Sequence, residues 1–484
     1  MEHFDVVIVG AGISGVGTAV HLRERCPGKR WVILEGRESM GGTWDLFRYP
    51  GIRSDSDMYT LGYRFKPWRG TNAIAAGPEI LSYVKEAAAE HGVDRHIRYR
   101  HRARAARWSS EEQRWTLEIE REGSSEPLRM SCDFLLMCAG YYSYEAGYTP
   151  ELPGVERFAG KLVHPQKWPE DLDYRGKKVV VIGSGATAVT LVPAMSKDVE
   201  HIVMLQRSPT YMLSLPAADP IARALGRVLP ERWAYRATRW KNVGVQQLLY
   251  QLTRKRPEMV KRFLLRRVEK ALGPSYDVGK HFTPRYHPWD ERLCFVPDDD
   301  FFEAIRSGKA SVVTDTIDTF TERGVRLSSG TELEADIVVT ATGLQLVVLG
   351  QMRFEVDGEP VDFSKTWAYK GLMSSGVPNL VSTFGYVNAS WTLRADLTSE
   401  WVCRLFGHMD RVGARVAVPR LRPSDADMPE RPWIADFSPN YIKRALHLFP
   451  KQGDREPWLN PQDYALDKKR LGAAPIDDGV LQLS

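Results

Sequence analysis

Two glycine-rich hexapeptides have the residue types and spacing that can hold the phosphates of a dinucleotide. The first is Gly10-Ala11-Gly12-Ile13-Ser14-Gly15, and the second is Gly183-Ser184-Gly185-Ala186-Thr187-Ala188. Each follows an apolar run rich in Val and Ile and precedes a helical pattern, which is the context that this fingerprint requires. The glycines permit a tight turn, a close approach to a pyrophosphate and close packing of helix on strand, and the helix N-terminus favours an anion. We therefore predict two dinucleotide sites.

The residue that ends the second strand of each unit distinguishes the two sites. Glu35 follows Gly10 by 25 residues, and a carboxylate there accepts hydrogen bonds from a ribose 2′-hydroxyl and repels a 2′-phosphate. Arg207 follows Gly183 by 24 residues and precedes Ser208, a guanidinium and a hydroxyl that suit a 2′-phosphate. We predict FAD at the first site and NADPH or NADP+ at the second. The alternatives are a turn without a ligand and a solvated surface arginine.

The cysteines bear on what a bound flavin would reduce. There are five, at irregular spacings and without a CxxC pair, which argues against a disulfide framework and against a zinc site. Cys132 and Cys138 lie on one predicted strand, where a separation of six residues corresponds to roughly 20 Å. A disulfide reductase is therefore rejected, no metal site is predicted, and molecular oxygen is the better electron acceptor.

The segment between the two fingerprints, FAGKLVHPQKWP at residues 158–169, carries a further pattern. It resembles the FxGxxxHxxxWP fingerprint of the type I (class B) Baeyer–Villiger flavin monooxygenases. The matching residues are Phe158, Gly160, His164, Trp168 and Pro169. Related flavin-containing monooxygenases usually have Tyr or Phe at the position of Trp168. Other stretches, including ESMGGTWDLFRYPGIRSDSDMYTLGYRF and YVNASWTL, resemble the ethionamide-monooxygenase subgroup, and the resemblance extends over essentially the whole chain.

This resemblance implies roles for a set of site residues. The loop along the flavin would comprise Gly42, Thr43, Trp44, Asp45 and Leu46. Ala103 would contact the FAD adenine edge through its backbone, and Arg53 and Ser54 would approach the nicotinamide nucleotide. Asp55 is implied as the active-site aspartate and Arg292 as the catalytic arginine. Taken alone, Asp55 is better explained as a turn or cap residue and Arg292 as the partner of a structural ion pair.

The family chemistry gives these two residues a task. The resemblance implies conversion of ketones to esters or lactones with NADPH and O2 through a C4a-peroxyflavin, and sulfide or thioamide S-oxidation as a second activity. Arg292, which keeps its charge at any ordinary pH, would stabilise the anionic oxygen, and Asp55 would orient it. Many family members have a lysine where this chain has Glu291, which removes a phosphate contact and puts more demand on Arg207.

Other interpretations stay open at this point. An S- or N-oxygenating flavin-containing monooxygenase without ketone activity is the alternative enzyme, and a nucleotide-binding redox sensor is the alternative from another class. His164 is interpreted as a residue that sets the orientation of the domains. Trp391 and Asn388 could line a substrate pocket, although a buried tryptophan more often belongs to the core.

The local patterns place these residues in a doubled α/β architecture. Strands are predicted at 4–9 and 31–34 around a helix at 13–25, a second such unit begins at 178, and a helix is predicted near 399–412. The 484 residues suit two Rossmann-like domains, one for FAD and one for NADP, with a helical insertion in the latter. The predicted divisions are 1–140 with 343–484 for FAD, 141–174 for a connector, 175–216 with 281–342 for NADP and 217–280 for the insertion.

Charge and hydropathy exclude several classes of partner. The net charge is +5, lysine and arginine are spread along the chain without a long basic block, and a nucleic-acid partner is therefore not expected. No apolar run approaches the ~20 residues of a membrane span. A strand begins almost at the N-terminus, so no signal peptide is expected, and we predict a cytoplasmic protein. The arginines of 217–280 are expected to be solvated, and a peripheral membrane contact stays open.

Overall fold

Two β-sheets organise the chain in the computed structural model, which describes residues 1–291, 293–435 and 439–484. The strands are β1 (Glu2–Val9), β2 (Trp31–Leu34), β3 (Ile97–Arg98), β4 (His101–Ser109), β5 (Arg114–Arg121), β6 (Leu128–Met137), β7 (Tyr142–Gly147), β8 (Lys161–Val163), β9 (Lys178–Ile182), β10 (His201–Gln206), β11 (Tyr211–Leu215), β12 (Leu293–Pro297), β13 (Ala310–Thr314), β14 (Ile317–Phe320), β15 (Gly324–Leu327), β16 (Glu332–Glu334), β17 (Ile337–Thr340), β18 (Leu344–Leu346), β19 (Arg353–Val356), β20 (Glu359–Pro360), β21 (Ala368–Tyr369), β22 (Met373–Ser374), β23 (Leu380–Ser382), β24 (Ala417–Pro419) and β25 (Leu481–Leu483). The α-helices are α1 (Ile13–Arg25), α2 (Thr43–Leu46), α3 (Met58–Leu61), α4 (Gly77–Glu90), α5 (Ala186–Met195), α6 (Pro220–Val228), α7 (Glu231–Lys255), α8 (Pro257–Leu272), α9 (Val278–Phe282), α10 (Asp300–Arg306), α11 (Trp391–Val412), α12 (Asn440–Lys443) and α13 (Tyr464–Gly472).

The first sheet has nine strands in the order β20-β19-β4-β5-β6-β1-β2-β3, with β23 paired to β6. Its centre is parallel, because β1 pairs in parallel with both β2 and β6. The side chains of β1 are almost all buried from Phe4 to Val9, as expected for a strand covered on both faces. Since carboxyl ends of parallel strands meet at one sheet edge, the loops after β1, β2 and β6 converge there.

The second sheet has five parallel strands in the order β13-β10-β9-β17-β8. Its outermost strand β8 comes from the segment predicted as a connector, and β7 of that segment pairs with β18. The two crossings between the sheets are therefore hydrogen-bonded to each other. The mixed α/β architecture with two Rossmann-like units is as predicted from the sequence.

Helix α11 begins eight residues before the predicted start, at Trp391 instead of residue 399. Its first turns bear Arg394 and Asp396, polar residues that break an apolar helical pattern in the sequence. In the structure both are buried, because Arg394 pairs with Asp467 and Asp396 accepts a hydrogen bond from His21 at 3.2 Å. Pairing across elements allows these charges into the core, where α11 packs against α1.

The segment predicted as a helical insertion, 217–280, contains α6, α7, α8 and the start of α9, and it lies between the paired strands β11 and β12. Helix α7 packs against α3, and α8 packs against β11, so this layer touches both halves of the molecule. Among the helices that the structure describes, none combines the length and apolarity needed to cross a membrane.

Candidate active site

A cavity of about 680 Å³ is bordered by residues from both sheets and from the helical insertion. The first fingerprint contributes Gly10, Gly12 and Ser14 to its wall, and the second contributes Ala186 and Thr187. A volume of this size falls within the range that ligand sites occupy in proteins. The fold therefore brings the two predicted dinucleotide sites to one shared space.

The glycines of the first fingerprint differ in what surrounds them. Gly10 has φ +103°, and a Cβ there would lie 2.6 Å from the carbonyl oxygen of Cys138. A Cβ at Gly15 would overlap the carbonyl oxygen of Gly10, so this position holds α1 close to β1. A Cβ at Gly12 would meet only Gly42, with its Cα at an ordinary 3.6 Å, and both residues line the cavity. The protein therefore leaves space beside Gly12 at the cavity wall.

Glu35, at the end of β2, is buried and lines the same cavity. One carboxylate oxygen accepts a hydrogen bond from the Ala11 N–H at 2.8 Å, and the other accepts one from the Arg37 N–H at 3.0 Å. Burial raises the pKa of this carboxyl, and the two backbone N–H groups oppose that rise. Each oxygen can accept a second hydrogen bond, which is the capacity that a ribose diol would use.

The predicted flavin loop lies partly in the cavity wall. Gly42, Thr43 and Trp44 line the cavity, and so does Ala103 on β4. Asp45 and Leu46 lie outside that lining. The Asp45 carboxylate is buried and forms an ion pair with Arg37 at 2.8 Å. The ion pair therefore helps to fix the loop between β2 and α2.

The segment from Arg53 to Asp55 also lines the cavity. Arg53 forms an ion pair with Asp300 at the start of α10, which links the loop to the second half of the molecule. Ser54 is buried and exchanges hydrogen bonds with Ala75, while the Asp55 side chain is exposed. Arg292 lies outside the described residues. Its neighbour Leu293 lines the cavity, as do Trp289, Cys294 and Phe295.

The second fingerprint surrounds the start of α5. A Cβ at Gly183, where φ is +131°, would overlap the Ala341 carbonyl oxygen, whereas a Cβ at Gly185 would have nothing within 4 Å. The Ser184 hydroxyl lies 2.9 Å from the Thr210 hydroxyl and 3.2 Å from the Ser208 carbonyl oxygen, to which it donates. Gly183, Ser184, Gly185 and Ala188 do not line the cavity. Ser184 instead joins the fingerprint to the chain after β10.

Arg207 and Ser208 are exposed at that chain segment and also lie outside the cavity wall. Glu291 lies within electrostatic reach of Arg207, and a second cation, Lys443 at the end of α12, acts on it as well. Burial raises the pKa of the Glu291 carboxyl, and the two cations oppose that rise. The surface beside the second fingerprint therefore has two cations around a half-buried acid.

The residues of FAGKLVHPQKWP do not line the cavity; they hold the junction between the sheets. His164 donates from Nε2 to the Gly343 carbonyl at 3.3 Å, and its Nδ1 accepts from the Gln166 N–H at 3.2 Å. A Cβ at Gly147 would overlap the His164 ring. Burial lowers the pKa of His164, so the imidazole is neutral near neutral pH. His164 thus contacts both chain crossings between the two sheets.

The other fingerprint residues pack beside that junction. A Cβ at Gly160 would lie 2.5 Å from the carbonyl oxygen of Asp336, which explains a glycine there. Phe158 packs edge-on against Phe320 with ring centroids 5.9 Å apart. Trp168, which precedes Pro169 in the chain, packs against the core of the second sheet. These contacts are structural, and none of these residues lines the cavity.

Aromatic residues that the sequence analysis did not single out form much of the cavity wall. They are Tyr49, Tyr141, Tyr142 and Tyr144. Burial raises the pKa of Tyr49 to about 12, and its hydroxyl hydrogen-bonds to Thr187 in the second fingerprint. Trp391, considered from the sequence, stacks on Tyr141 with centroids 5.0 Å apart and donates to Ser14 Oγ at 2.8 Å. The YYSY run after β6 is the sequence signal that could have indicated this wall.

Comparison with known proteins places this geometry among flavoproteins. Residues 73–407 match the family model of flavin-binding monooxygenase-like proteins, and residues 8–70 match that of an NAD(P)-binding Rossmann-like domain. The FAD-containing monooxygenase EthA of Mycobacterium tuberculosis is 55% identical over 484 residues, with 100% of this chain and 98% of that protein covered.

Two solved structures resemble the fold. A steroid monooxygenase bound to NADP has a TM-score of 0.72 at 23% identity, with 87% of this chain and 88% of that chain covered. OTEMO in complex with FAD and NADP has a TM-score of 0.77 at 19% identity, with 99% of each chain covered. At this identity the two likenesses show a shared arrangement of the two dinucleotide-binding units.

Proposed function

Since the chain belongs to the flavin-binding monooxygenase-like family, it is a flavin monooxygenase, and we propose that it converts ketones to esters or lactones with FAD, NADPH and O2. Oxidation of sulfides or thioamides at sulfur is the proposed second activity. The observation that carries the proposal is the single cavity that both fingerprints, Asp55 and Leu293 line together. A hydride donor, a flavin and a small apolar substrate could all reach that space.

The residues present fit FAD at the first fingerprint. Gly12 leaves the N-terminus of α1 open to a pyrophosphate, and Glu35 has unused acceptor capacity for a ribose diol. Gly42, Thr43 and Trp44 would border the flavin ring system, and Ala103 the adenine. Asp45 and Leu46 would hold the loop in position without contacting the flavin, since neither lines the cavity.

The residues around the second fingerprint fit NADPH. Ala186 and Thr187 at the start of α5 would approach its phosphates, while Arg53 and Ser54 would approach the nicotinamide side. Arg207 and Ser208 would bind the 2′-phosphate. Lys443 compensates for the acid at position 291, because it supplies a cation to the same surface.

FAD, when bound and reduced by NADPH, would activate O2, so that one oxygen atom enters the substrate and the other leaves as water. Arg292 would stabilise the negative charge that develops on the reacting oxygen, because a guanidinium keeps its charge and its donors at any ordinary pH. Asp55 would orient that guanidinium. The aromatic residues Tyr141, Tyr142 and Trp391 would keep water from the reacting atoms.

A ketone panel tests the proposed reaction. The holoenzyme would be incubated with 2-octanone and cyclic ketones, NADPH and air, and products identified by mass spectrometry. Esters or lactones support the proposal. Absence of ester from every ketone, together with sulfoxide from an alkyl aryl sulfide, would instead indicate an S-oxygenating enzyme. Absence of any substrate-stimulated NADPH oxidation would indicate a nucleotide-binding module without chemistry.

Nucleotide selectivity provides the first mutational prediction. Arg207→Ala is expected to raise the KM for NADPH by at least about tenfold, the effect of losing a charged hydrogen bond, while the KM for NADH stays unchanged. Lys443→Ala should shift the same ratio in the same direction. Arg129→Ala, another exposed arginine, serves as the control. Equal effects of Arg207→Ala on the KM for both nucleotides would show that the 2′-phosphate does not bind at Arg207.

His164 provides the second prediction, as a residue that sets the orientation of the two domains. We expect His164→Ala to retain FAD and to oxidise NADPH, with product per NADPH reduced several-fold and hydrogen peroxide released instead. His447→Ala, at an exposed histidine, is the control. Unchanged product yield per NADPH in His164→Ala would contradict this role.

The pH dependence of stability is expected to differ between the wild type and His164→Ala. Burial lowers the pKa of His164 below its ordinary value of 6.5. The native state therefore binds fewer protons than the unfolded state, and its stability falls as pH drops from 6.5 through the lowered pKa. This part of the acid destabilisation should be absent from His164→Ala in thermal melts at a series of pH values.

A further inference from the structure

Helix α6 presents its apolar face to solvent. Ile221 is 51% exposed and Val228 is 76% exposed, and their separation of seven residues puts them on one face of the helix. Ala222 is the only residue of α6 that is buried. An amphipathic helix normally buries its apolar stripe against the core, whereas α6 leaves Ile221 and Val228 of that stripe exposed.

Helix α7 continues this pattern with a stripe of larger residues. Trp233 is 63% exposed, Trp240 is 81% exposed and Leu248 is 59% exposed, at spacings of seven and eight residues that keep them on one side. The chain has 14 tryptophans, all within the described residues, and these two are the only exposed ones. Such residues are rarely left in water without a partner.

Positive charge is concentrated in the same part of the chain. Residues 217–280 contain 15 Lys and Arg against 5 Asp and Glu, whereas the whole chain has 66 against 61. The rest of the protein is therefore net acidic. Arg236 lies over the Trp233 ring at 5.7 Å, so cations and exposed aromatic rings are interleaved on α7.

The apolar surface borders the cavity. The cavity is lined by Leu215 at the end of β11, by Pro216, and by Pro220 at the start of α6. Val245 and Leu249 of α7 line it as well. The contact is fixed, because Asp57 of the cavity wall accepts hydrogen bonds from Asn242 at 2.8 Å and Gln246 at 2.9 Å. Whatever covers the exposed faces of α6 and α7 therefore lies beside the cavity rim.

We propose that the outward faces of α6 and α7, with Ile221, Val228, Trp233, Trp240 and Leu248, form a docking surface for an anionic lipid bilayer. Tryptophan favours the boundary between lipid and water, and a basic face around apolar residues is the composition of interfacial helices. Charge decides between candidate occupants. A second copy would bring the same net-positive surface against this one in a two-fold interface, and that repulsion disfavours it.

Vesicle binding tests the docking surface with the FAD-loaded enzyme. We expect co-sedimentation with phosphatidylcholine vesicles that contain about one third phosphatidylglycerol, and weaker binding to pure phosphatidylcholine. The double variant Trp233→Ser/Trp240→Ser should lose at least about tenfold in partition coefficient. Val412→Ser, a change at a 55% exposed residue outside the insertion, is the matched control and should bind like the wild type.

A second variant separates the electrostatic contribution. Replacing Arg223, Arg227 and Arg232 with Gln should weaken binding to the anionic vesicles only, and raising the salt concentration should have the same effect on the wild type. Unchanged flavin absorbance and melting temperature show that each variant is folded. Failure of the wild type to bind anionic vesicles, or equal binding by the double tryptophan variant, overturns the proposal.

The test also identifies a second copy as occupant. If the wild type sediments as a dimer without vesicles, fails to bind them, and becomes a monomer on Trp233→Ser/Trp240→Ser, then the surface is a subunit interface and the proposal is wrong. A monomer that binds anionic vesicles supports it.

Docking at the cavity rim would favour substrates that are dissolved in the bilayer. This consequence rests on the proposed function, whereas vesicle binding does not. A long-chain ketone dissolved in anionic vesicles should be turned over several-fold more slowly by Trp233→Ser/Trp240→Ser, with a water-soluble ketone unaffected. Neither residue lines the cavity. Loss of both rates would place the defect in catalysis, and loss of neither would exclude delivery through the surface.

Discussion

Replacing Gly12 with alanine should give a folded protein that purifies without flavin. The added Cβ would meet only Gly42 Cα at 3.6 Å, and the backbone of Gly12 is extended with φ −78°, a conformation that alanine adopts without strain. Gly12 nevertheless lines the cavity at the N-terminus of α1, where a pyrophosphate needs the closest backbone approach, and we expect the added methyl group to hinder that approach. We expect FAD affinity to fall by about 100-fold, equivalent to about 3 kcal/mol.

Flavin absorbance per protein measures the FAD content, and far-ultraviolet circular dichroism shows whether the variant is folded. Gly185→Ala is the matched control in the second fingerprint, since its Cβ would have no atom within 4 Å and the residue does not line the cavity. That variant should keep its full flavin content. Gly15→Ala should fail to fold, because its Cβ would overlap the Gly10 carbonyl oxygen. A flavin-saturated Gly12→Ala protein would show that the pyrophosphate lies elsewhere.

The glycine-rich turns could be predicted because they depend on contacts close in sequence. Helix α1 has the bounds expected from its pattern, Ile13–Arg25, and α5 begins directly after the glycines of the second fingerprint, at Ala186. A buried strand, a glycine turn and a helix form one local unit, and the strand end then determines where Glu35 must lie. The distinction between Glu35 and Arg207 needed no knowledge of the remaining fold.

Pairs of residues far apart in sequence could not be predicted in this way. The start of α11 was missed because its charges are paired with distant residues, Arg394 with Asp467 at 73 residues and Asp396 with Arg239 at 157 residues along the chain. The wall formed by Tyr49 and Tyr141 depends on how a connector folds across both sheets. Residues of one fingerprint can also diverge, as Ala186 and Thr187 of the second fingerprint line the cavity while Gly183 and Gly185 do not.

The helical insertion shows the same limit for surfaces. Its period indicated helices, and four helices are present. The pattern could not show that Ile221 and Val228 of α6 stay exposed, because a sequence shows which face of a helix is apolar but not which face its neighbours cover. Lysine and arginine are spread along the chain, but net positive charge is not, and only a count by segment shows this.

The largest effect on turnover is expected from Arg292→Ala, which should bind FAD, accept electrons from NADPH and make almost no ester. The residue lies outside the described residues, so the prediction rests on the resemblance and on its neighbours Trp289, Leu293 and Phe295, all of which line the cavity. Loss of one preorganised charged donor reduces turnover by about 10²–10³-fold.

Arg292→Lys separates charge from geometry in this prediction. Lysine keeps a cation but loses the planar fork that a guanidinium offers, so an intermediate rate is expected if both matter. In both variants NADPH oxidation should continue, with hydrogen peroxide in place of ester, because the cofactor residues Gly12 and Glu35 are untouched. Asp55→Asn should show a smaller loss in product formation, since it acts by orienting the arginine. Ester formation by Arg292→Ala at the wild-type rate would mean that another cation stabilises the reacting oxygen, and Arg53, which lines the cavity beside Asp55, would be the first to replace.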